Sequence, residues 1–285
     1  MSSETWTPLG LIAWTQGYFG RQGVDAPRLT AELLLAKALG CDRVRLYLDF
    51  DKPLGEGELG AFRELVKRRA GGEPTAYLTG RKEFLGRSFQ VDGRALVPRP
   101  ETELVAEAAL QALPEGGAAL DLCTGSGCIA ASLALSRPSA RVTAVELSPE
   151  ALALARENAR ALGAAVDFRE GDLYGPLPPD RRFDVIVANP PYVPTSELYG
   201  LPREVQREPK LALDGGPDGL GVARRVVGEA PARLRAGGTL VVEMHESHLE
   251  SLPQLCRAAG FARAEARRDL AGLPRYVLAR LGGSA

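Results

Sequence analysis

The stretch "LDLCTGSGCIAASLAL", residues 120–135, decides the fold. Leu120 and Leu122 flank Asp121 in an apolar run, Thr124-Gly125-Ser126-Gly127 interrupts it, and small and apolar residues resume from Cys128. The order is strand, glycine loop, helix. Gly125-Ser126-Gly127-Cys128-Ile129-Ala130 fits G-x-G-x-x-A, in which small residues allow a tight turn and let the backbone approach a ligand. Downstream, "RVTAVEL" (141–147) reads as the next strand and carries Glu146 near its end, the place for an acid that accepts from ribose hydroxyls. Ser148-Pro149 then caps and starts a helix over Glu150–Leu162.

Working outward, strands are expected at "AALDLC" (118–123), "AVDFRE" (165–170), "FDVIVAN" (183–189), "GTLVVEM" (238–244), "ARAEARR" (262–268) and "RYVLARL" (275–281). Helical runs, Cys128–Leu135 among them, separate the early strands. This alternation predicts an α/β fold with a largely parallel sheet covered by helices on both faces.

Residues 1–74 read as a separate helical domain. "LTAELLLAKALG" sets Leu29, Leu33, Leu34 and Ala38 near one face and ends on Gly40, a C-cap residue. Leu59, Phe62, Leu65 and Val66 form a second stripe that stops at Gly71-Gly72. Lys67, Arg68 and Arg69 read as a solvated helix end favoured by the dipole, and Trp6, Trp14, Tyr18 and Phe19 as helix core. Residues 75–98 read as a β-hairpin linker with Asp92-Gly93 as its turn signal, leaving 99–285 for the α/β domain.

The chain of 285 residues is 45% apolar with a formal net charge of -1, so no basic excess points to nucleic acid. The four cysteines form no CxxC pair and read as free thiols of a reducing cytosol. "MSSETWTPLG" lacks the pattern of a secretory leader, and no apolar run is long enough to span a bilayer. A cytoplasmic protein without membrane contact is expected.

The glycine loop suits either NAD or S-adenosylmethionine. Asp121 favours the second, because a carboxylate there opposes a pyrophosphate and suits an ammonium and a sulfonium. Asp172, in "EGDLYG" (170–175), stands at a strand end where it can accept from an adenine amine. "IVANPPYV" (186–193) then ends a buried strand on Asn189 and two proline rings. Prolines remove donors and fix φ, leaving the Asn189 side-chain oxygen and the Pro190 carbonyl as stiff acceptors, with Tyr192 as a flat face. Two fixed acceptors match a planar NH2 group. Gripping both N–H bonds aims a delocalised lone pair at a methyl donor, so transfer proceeds by positioning rather than by a strong base. His245, Glu246 and His248 read as a surface loop with no metal, and Cys123 with Cys128 as loop residues rather than a redox pair.

Asn189-Pro190-Pro191-Tyr192 resembles the signature of class I amino-methyltransferases acting on planar nitrogens. With "GEPTAYLTGRKEF" (72–84), "LVPRPETE" (96–103), "EPKLAL" (208–213) and "DLAGLPR" (269–275), the whole chain resembles the HemK/PrmC family, protein-(glutamine-N5) methyltransferases of class I peptide-chain release factors. The resemblance implies a Rossmann-like sheet of about seven strands with the last antiparallel. It implies S-adenosyl-L-methionine as donor, leaving as S-adenosyl-L-homocysteine, held by Asp121, Cys123, Thr124, Gly125, Ser126, Gly127, Glu146, Asp172, Leu173 and Asn189. Asn189, Pro190, Pro191, Tyr192 and Thr102 are implied substrate contacts, with Asn189, Pro190 and Tyr192 catalytic. The acceptor is the glutamine of a Gly-Gly-Gln loop, recognised with help from the N-terminal helices by a monomeric enzyme. Three positions depart from the pattern: Cys123 replaces a usual glycine, Leu173 stands where a large aromatic occurs, and "VVEMHESHLE" (241–250) is an unusual ending to its strand. The same chemistry on an adenine or guanine, stacked on Tyr192, is the alternative; the near-neutral N-terminal domain disfavours it.

Overall fold

The computed structural model describes residues 6–283; residues 1–5 and 284–285, the outer ends of the expected domains, lie outside it. The chain forms two compact units, one running through Arg81 and including Pro202–Arg207, the other Lys82–Leu201 and Glu208 onward.

The first unit is helical: α1 (Pro8–Arg21), α2 (Pro27–Leu39), α3 (Arg43–Leu48), α4 (Glu56–Ala70) and α5 (Thr75–Thr79). Thr7 caps α1 by accepting from the Gly10 N–H, and Gly40, in the left-handed region, ends α2. Leu11, Ile12, Phe19, Leu34, Leu35 and Phe62 form the core. The α4 stripe lies as expected, with Phe62 and Val66 buried. On α2 the inward face is Thr30, Ala31, Leu34 and Leu35, while Leu29 is exposed. The run Leu33-Leu34-Leu35 admits either face; the carboxylate of Glu32, drawn in by Arg28, Arg43 and the Tyr47 hydroxyl, goes with the one adopted. Of the expected aromatic core only Phe19 is fully buried. Trp14 is 53% exposed and stacks on Tyr18 at 5.5 Å. Arg69 is not solvated: it is buried and pairs at 2.6 Å with Glu204, a partner 135 residues distant that local sequence cannot reveal.

The second unit opens with a hairpin, β1 (Arg81–Phe84) and β2 (Arg87–Gln90). Its turn is Leu85-Gly86, with φ of 47° and 69°, the left-handed pair of a two-residue hairpin. Asp92-Gly93 lies beyond the hairpin, where the Asp92 side chain accepts from the Arg94 N–H in a local turn. The register is set by Phe84 and Phe89, buried edge-to-face at 6.1 Å, and by the Leu85 N–H donating to Glu103.

Then follow α6 (Pro100–Ala112), β3 (Ala118–Leu122), α7 (Cys128–Ser136), β4 (Arg141–Glu146), α8 (Pro149–Leu162), β5 (Val166–Glu170), β6 (Phe183–Ala188), α9 (Gly221–Arg233), β7 (Leu234–Glu243), α10 (Ser251–Ala258), β8 (Phe261–Arg268) and β9 (Pro274–Leu281). The seven-stranded sheet has the order β5-β4-β3-β6-β7-β9-β8. β3 to β7 are mutually parallel and β9 is antiparallel to both its neighbours. β7 begins earlier than expected, because Leu234 pairs with Phe183 ahead of an irregularity. Alternate residues of the central strands enter two cores. Ile186 and Ala188 face Val226 and Val227 of α9, whereas Val185 and Val187 join Val105 of α6 and Ile129 of α7. Strand order reverses between β3 and β6, which places the ligand crevice at their carboxyl ends. Among the described residues no helix is long and apolar enough to cross a membrane.

Burial alone would raise the Glu32 carboxyl, but hydrogen bonds from Tyr47, Arg43 and Arg28 outweigh it and hold the group below its ordinary 4.5. Its stabilising effect is therefore complete above that value and lost as pH falls through the lowered one. Glu32→Ala is expected to weaken the helical unit by about 2 kcal/mol, because Arg28, Arg43 and the Tyr47 hydroxyl lose the acceptor they share. Hydrogen exchange of α2 amides in the full chain reads the effect, and the difference from wild type should narrow on acidification below 4.5.

Candidate active site

The glycine loop is shaped from beneath by buried polar groups. Asp121 is fully buried; one oxygen accepts from the Thr124 hydroxyl at 2.5 Å and the Ala130 N–H at 3.1 Å, and the other has no partner. Burial pushes this carboxyl up to about 7, against those two hydrogen bonds. Asn158 of α8 ties the loop to the hairpin, donating to the Ser126 and Gln90 carbonyls and accepting from the Gln90 N–H. Gly127 has φ 79°, and a Cβ there would sit 3.0 Å from the Ala155 Cβ, so helix packing demands this glycine. Gly125, at φ 55°, faces open space. Cys123 adopts φ 58°, which explains why glycine suits the position, and Leu173 adopts φ 49°.

Glu146, at the tip of β4, accepts from the Gly125 N–H at 2.9 Å and the Ser148 N–H at 3.0 Å, so the acid is oriented beside the loop. Asp172 pairs through one oxygen with Arg225 of α9 at 2.6 Å. Burial raises the Cys123 thiol and pushes that of Cys128 up to about 12, so neither is a thiolate.

The segment after β6 is held by close backbone packing. Val193 exchanges two hydrogen bonds with the 213–215 stretch, its N–H donating to the Leu213 carbonyl at 3.0 Å and its carbonyl accepting from the Gly215 N–H at 2.8 Å. A Cβ on Gly215 would meet the Pro191 carbonyl oxygen at 2.8 Å, and one on Gly219 the Tyr192 carbonyl oxygen at 2.3 Å. His248 is buried against this loop and donates from Nε2 to the Asp218 carbonyl, so it is a packing residue rather than part of a surface loop. Among the described residues no cluster of His, Cys, Asp or Glu is arranged to hold a metal.

Asn189 Nδ2 donates to the Thr102 hydroxyl at 3.3 Å, and among the described residues nothing donates to the Asn189 Oδ1 or the Pro190 carbonyl. The Tyr192 hydroxyl donates to Glu243 at 3.4 Å, and its ring lies 6.2 Å from that of His245. Thr102, the loop from Cys123 to Ser126, Glu146, Asp172, Leu173, Asn189 and Pro191 line one cleft. Asp121, Gly127, Pro190 and Tyr192 are not part of that wall. Sequence reading missed Asn158, Gly215, Gly219 and Glu243. The glycine-dense "DGGPDGLG" (214–221) was a signal for close backbone approach, and Glu243 ends a central parallel strand as Glu146 does.

Residues 10–80 match the PrmC N-terminal domain and 101–201 the Methyltransferase small domain. The chain is 47% identical over 280 residues to a release factor glutamine methyltransferase of Geobacter sulfurreducens, covering 98% of both chains. It is 45% identical to that of Moorella thermoacetica, over 90% of this chain and 92% of the relative. Among solved structures, a methyltransferase from Pyrococcus furiosus aligns with TM-score 0.53 and 22% identity over 70% of this chain and 91% of its own. The T. thermophilus 16S rRNA N2 G1207 methyltransferase, in complex with AdoMet and guanosine, aligns with TM-score 0.53 and 23% identity over 70% of this chain and 49% of its own. These two likenesses establish the methyltransferase fold.

The two glycine environments predict different costs. Gly125→Ala meets no atom and should lose only the left-handed backbone term, about 1 kcal/mol. Gly219→Ala adds a clash with backbone and should cost about 3 kcal/mol. Urea unfolding of both variants checks the ranking.

Proposed function

The chain belongs to the release factor glutamine methyltransferases, and from that membership we propose how its own residues carry the reaction. The enzyme transfers a methyl group from S-adenosyl-L-methionine to a release-factor glutamine. Our finer reading places the methyl on the side-chain amide nitrogen, N5, of the glutamine in a Gly-Gly-Gln motif of class I release factors.

The cleft fits the donor. Glu146 is fixed where ribose hydroxyls can donate to it, Gly125 leaves room for close backbone approach, and Leu173, Ile129 and Val145 offer apolar walls to a flat base. When bound, S-adenosylmethionine supplies an electrophilic methyl on a sulfonium and leaves as S-adenosylhomocysteine. Asp172 presents a carboxylate for the adenine amine, shared with Arg225. Asp121 acts through the loop it shapes.

Asn189 carries the reading. Its Nδ2 is engaged by Thr102, which leaves Oδ1 as an acceptor beside the Pro190 carbonyl, the pair that would grip both N–H bonds of a glutamine amide. A primary amide nitrogen is a weak nucleophile. Holding its two hydrogens in place turns the lone pair toward the donor, and this geometry supplies the rate enhancement. Glycines beside the target glutamine let it reach into a narrow site. The free thiols fit a reducing cytoplasm, and a net charge of -1 fits a protein rather than a nucleic-acid acceptor.

Asn189→Ala is expected to lower kcat at least about 100-fold, the scale for losing one preorganised polar contact. Cofactor affinity by calorimetry should stay close to wild type, and mass spectrometry should locate the wild-type methyl on the Gly-Gly-Gln glutamine. Normal methylation by the variant would overturn the assignment.

A further inference from the structure

The motif "EPKLAL" (208–213) has no part in the mechanism above, yet Pro209, Leu211 and Ala212 line the same cleft as the glycine loop, Glu146 and Asp172. The segment is a stiff turn fastened at both ends. Within it Pro209 holds φ at -58°, the Ala212 N–H donates to the Pro209 carbonyl at 2.9 Å, and the Asp214 N–H donates to the Lys210 carbonyl at 2.9 Å. At its far end the Leu213 carbonyl accepts from the Val193 N–H, one residue beyond Tyr192. At its near end Glu208, 5% exposed, accepts from the Val97 N–H at 2.9 Å and pairs with the Arg99 guanidinium. Val97 and Arg99 belong to the cleft wall too. Glu208 therefore joins two stretches of that wall, and its hydrogen bond to Val97 spans 111 residues of sequence.

Leu211 is the residue of this turn that internal packing does not explain. Leu213 is buried and the Lys210 side chain lies in solvent, whereas Leu211 stands in the cleft wall and is 52% exposed. A large apolar side chain held in this way is stabilised when a ligand covers it. S-adenosylmethionine has matching surface in its adenine ring and in the carbons around its sulfonium.

We propose that the 209–212 turn is a fixed wall for bound S-adenosylmethionine, with Leu211 in contact with the cofactor and Glu208 the positioning residue that holds the turn in place. The proposal rests on the reading of this cleft as the cofactor site. A carboxylate suits the task because each of its two oxygens takes one donor, Oε2 the Val97 N–H and Oε1 the Arg99 guanidinium. Glutamine at this position has a single oxygen. Its NH2 would face the remaining donor, and the charge pairing with Arg99 is lost. One end of the turn is then released, and the cofactor must order it on binding.

The test uses full-length protein. Calorimetry gives the Kd for S-adenosylmethionine, thermal unfolding without ligand gives Tm, and steady-state assays on a purified release factor give kcat and both KM values. Leu211→Ala should raise the cofactor Kd about fivefold and Leu211→Met should restore it. Neither should move Tm, because the side chain is half exposed without ligand. Glu208→Gln should raise Kd and KM for S-adenosylmethionine about 10-fold, while kcat at saturating cofactor and KM for the release factor stay within about twofold of wild type.

A Leu211→Ala Kd within about twofold of wild type would overturn the proposal. So would a rise in KM for the release factor in place of cofactor Kd, which would put the acceptor rather than the cofactor against the turn. Loss of kcat in Glu208→Gln at unchanged Kd would reduce that residue to a structural brace and contradict its assigned role. Wild-type transfer to the release-factor glutamine is measured alongside. An inactive wild type that still binds cofactor refutes the glutamine-methylating reading and leaves calorimetry to decide this inference, whereas an active wild type with unchanged Kd in both variants refutes this inference alone.

Discussion

The structure depends on one constraint: an asparagine amide must be held at the tip of β6, beside the glycine loop that follows β3, with its oxygen outward. The sheet supplies the place, because its order reverses between these two strands and their carboxyl ends flank a crevice. Two prolines then stiffen the chain after Asn189. The loop from Asp214 to Gly221 packs so closely on Pro191 and Tyr192 that glycine is obligatory at two of its positions. What looks in sequence like a short polar motif is a backbone clamped from the opposite side by a second loop.

Features unfavourable to folding gather around this point. Cys123 and Leu173 take left-handed backbone conformations, and Asp121 and Glu243 are buried acids that each leave an oxygen unpartnered. Each lies at or around the cleft: Cys123 and Leu173 line it, Asp121 shapes the glycine loop from beneath, and Glu243 accepts from the Tyr192 hydroxyl. The cores on both faces of the sheet, built from aliphatic residues with few polar interruptions, supply the stability that permits such local strain. Other motif residues act as braces. Glu208 accepts from the Val97 N–H and pairs with Arg99, while Arg275 joins Asp269 to Glu101 at the start of α6.

The sheet was legible in sequence because strands buried on both faces announce themselves as apolar runs, and Gly125, Glu146 and Asn189 fall at strand ends where chemistry is expected. The hairpin turn was not, because Leu85 is an unusual left-handed residue stabilised by its N–H bond to Glu103, whereas Asp92-Gly93 has the better local signature. The face of α2 and the burial of Arg69 depended on partners distant in sequence, Arg43 and Tyr47 in the first case and Glu204 in the second. Glu243 looked like one more residue of an apolar strand. Its burial beside the Tyr192 hydroxyl is brought about only by the folded chain.

The central claim is that Asn189 Oδ1 and the Pro190 carbonyl together hold the acceptor amide. A crystal structure of the enzyme with S-adenosylhomocysteine and a Gly-Gly-Gln peptide tests it most directly. The account predicts the glutamine side-chain nitrogen about 3 Å from both oxygens, with the cofactor sulfur on its open side. An amide nitrogen held by other groups, or an Asn189 whose NH2 faces the peptide, would contradict it.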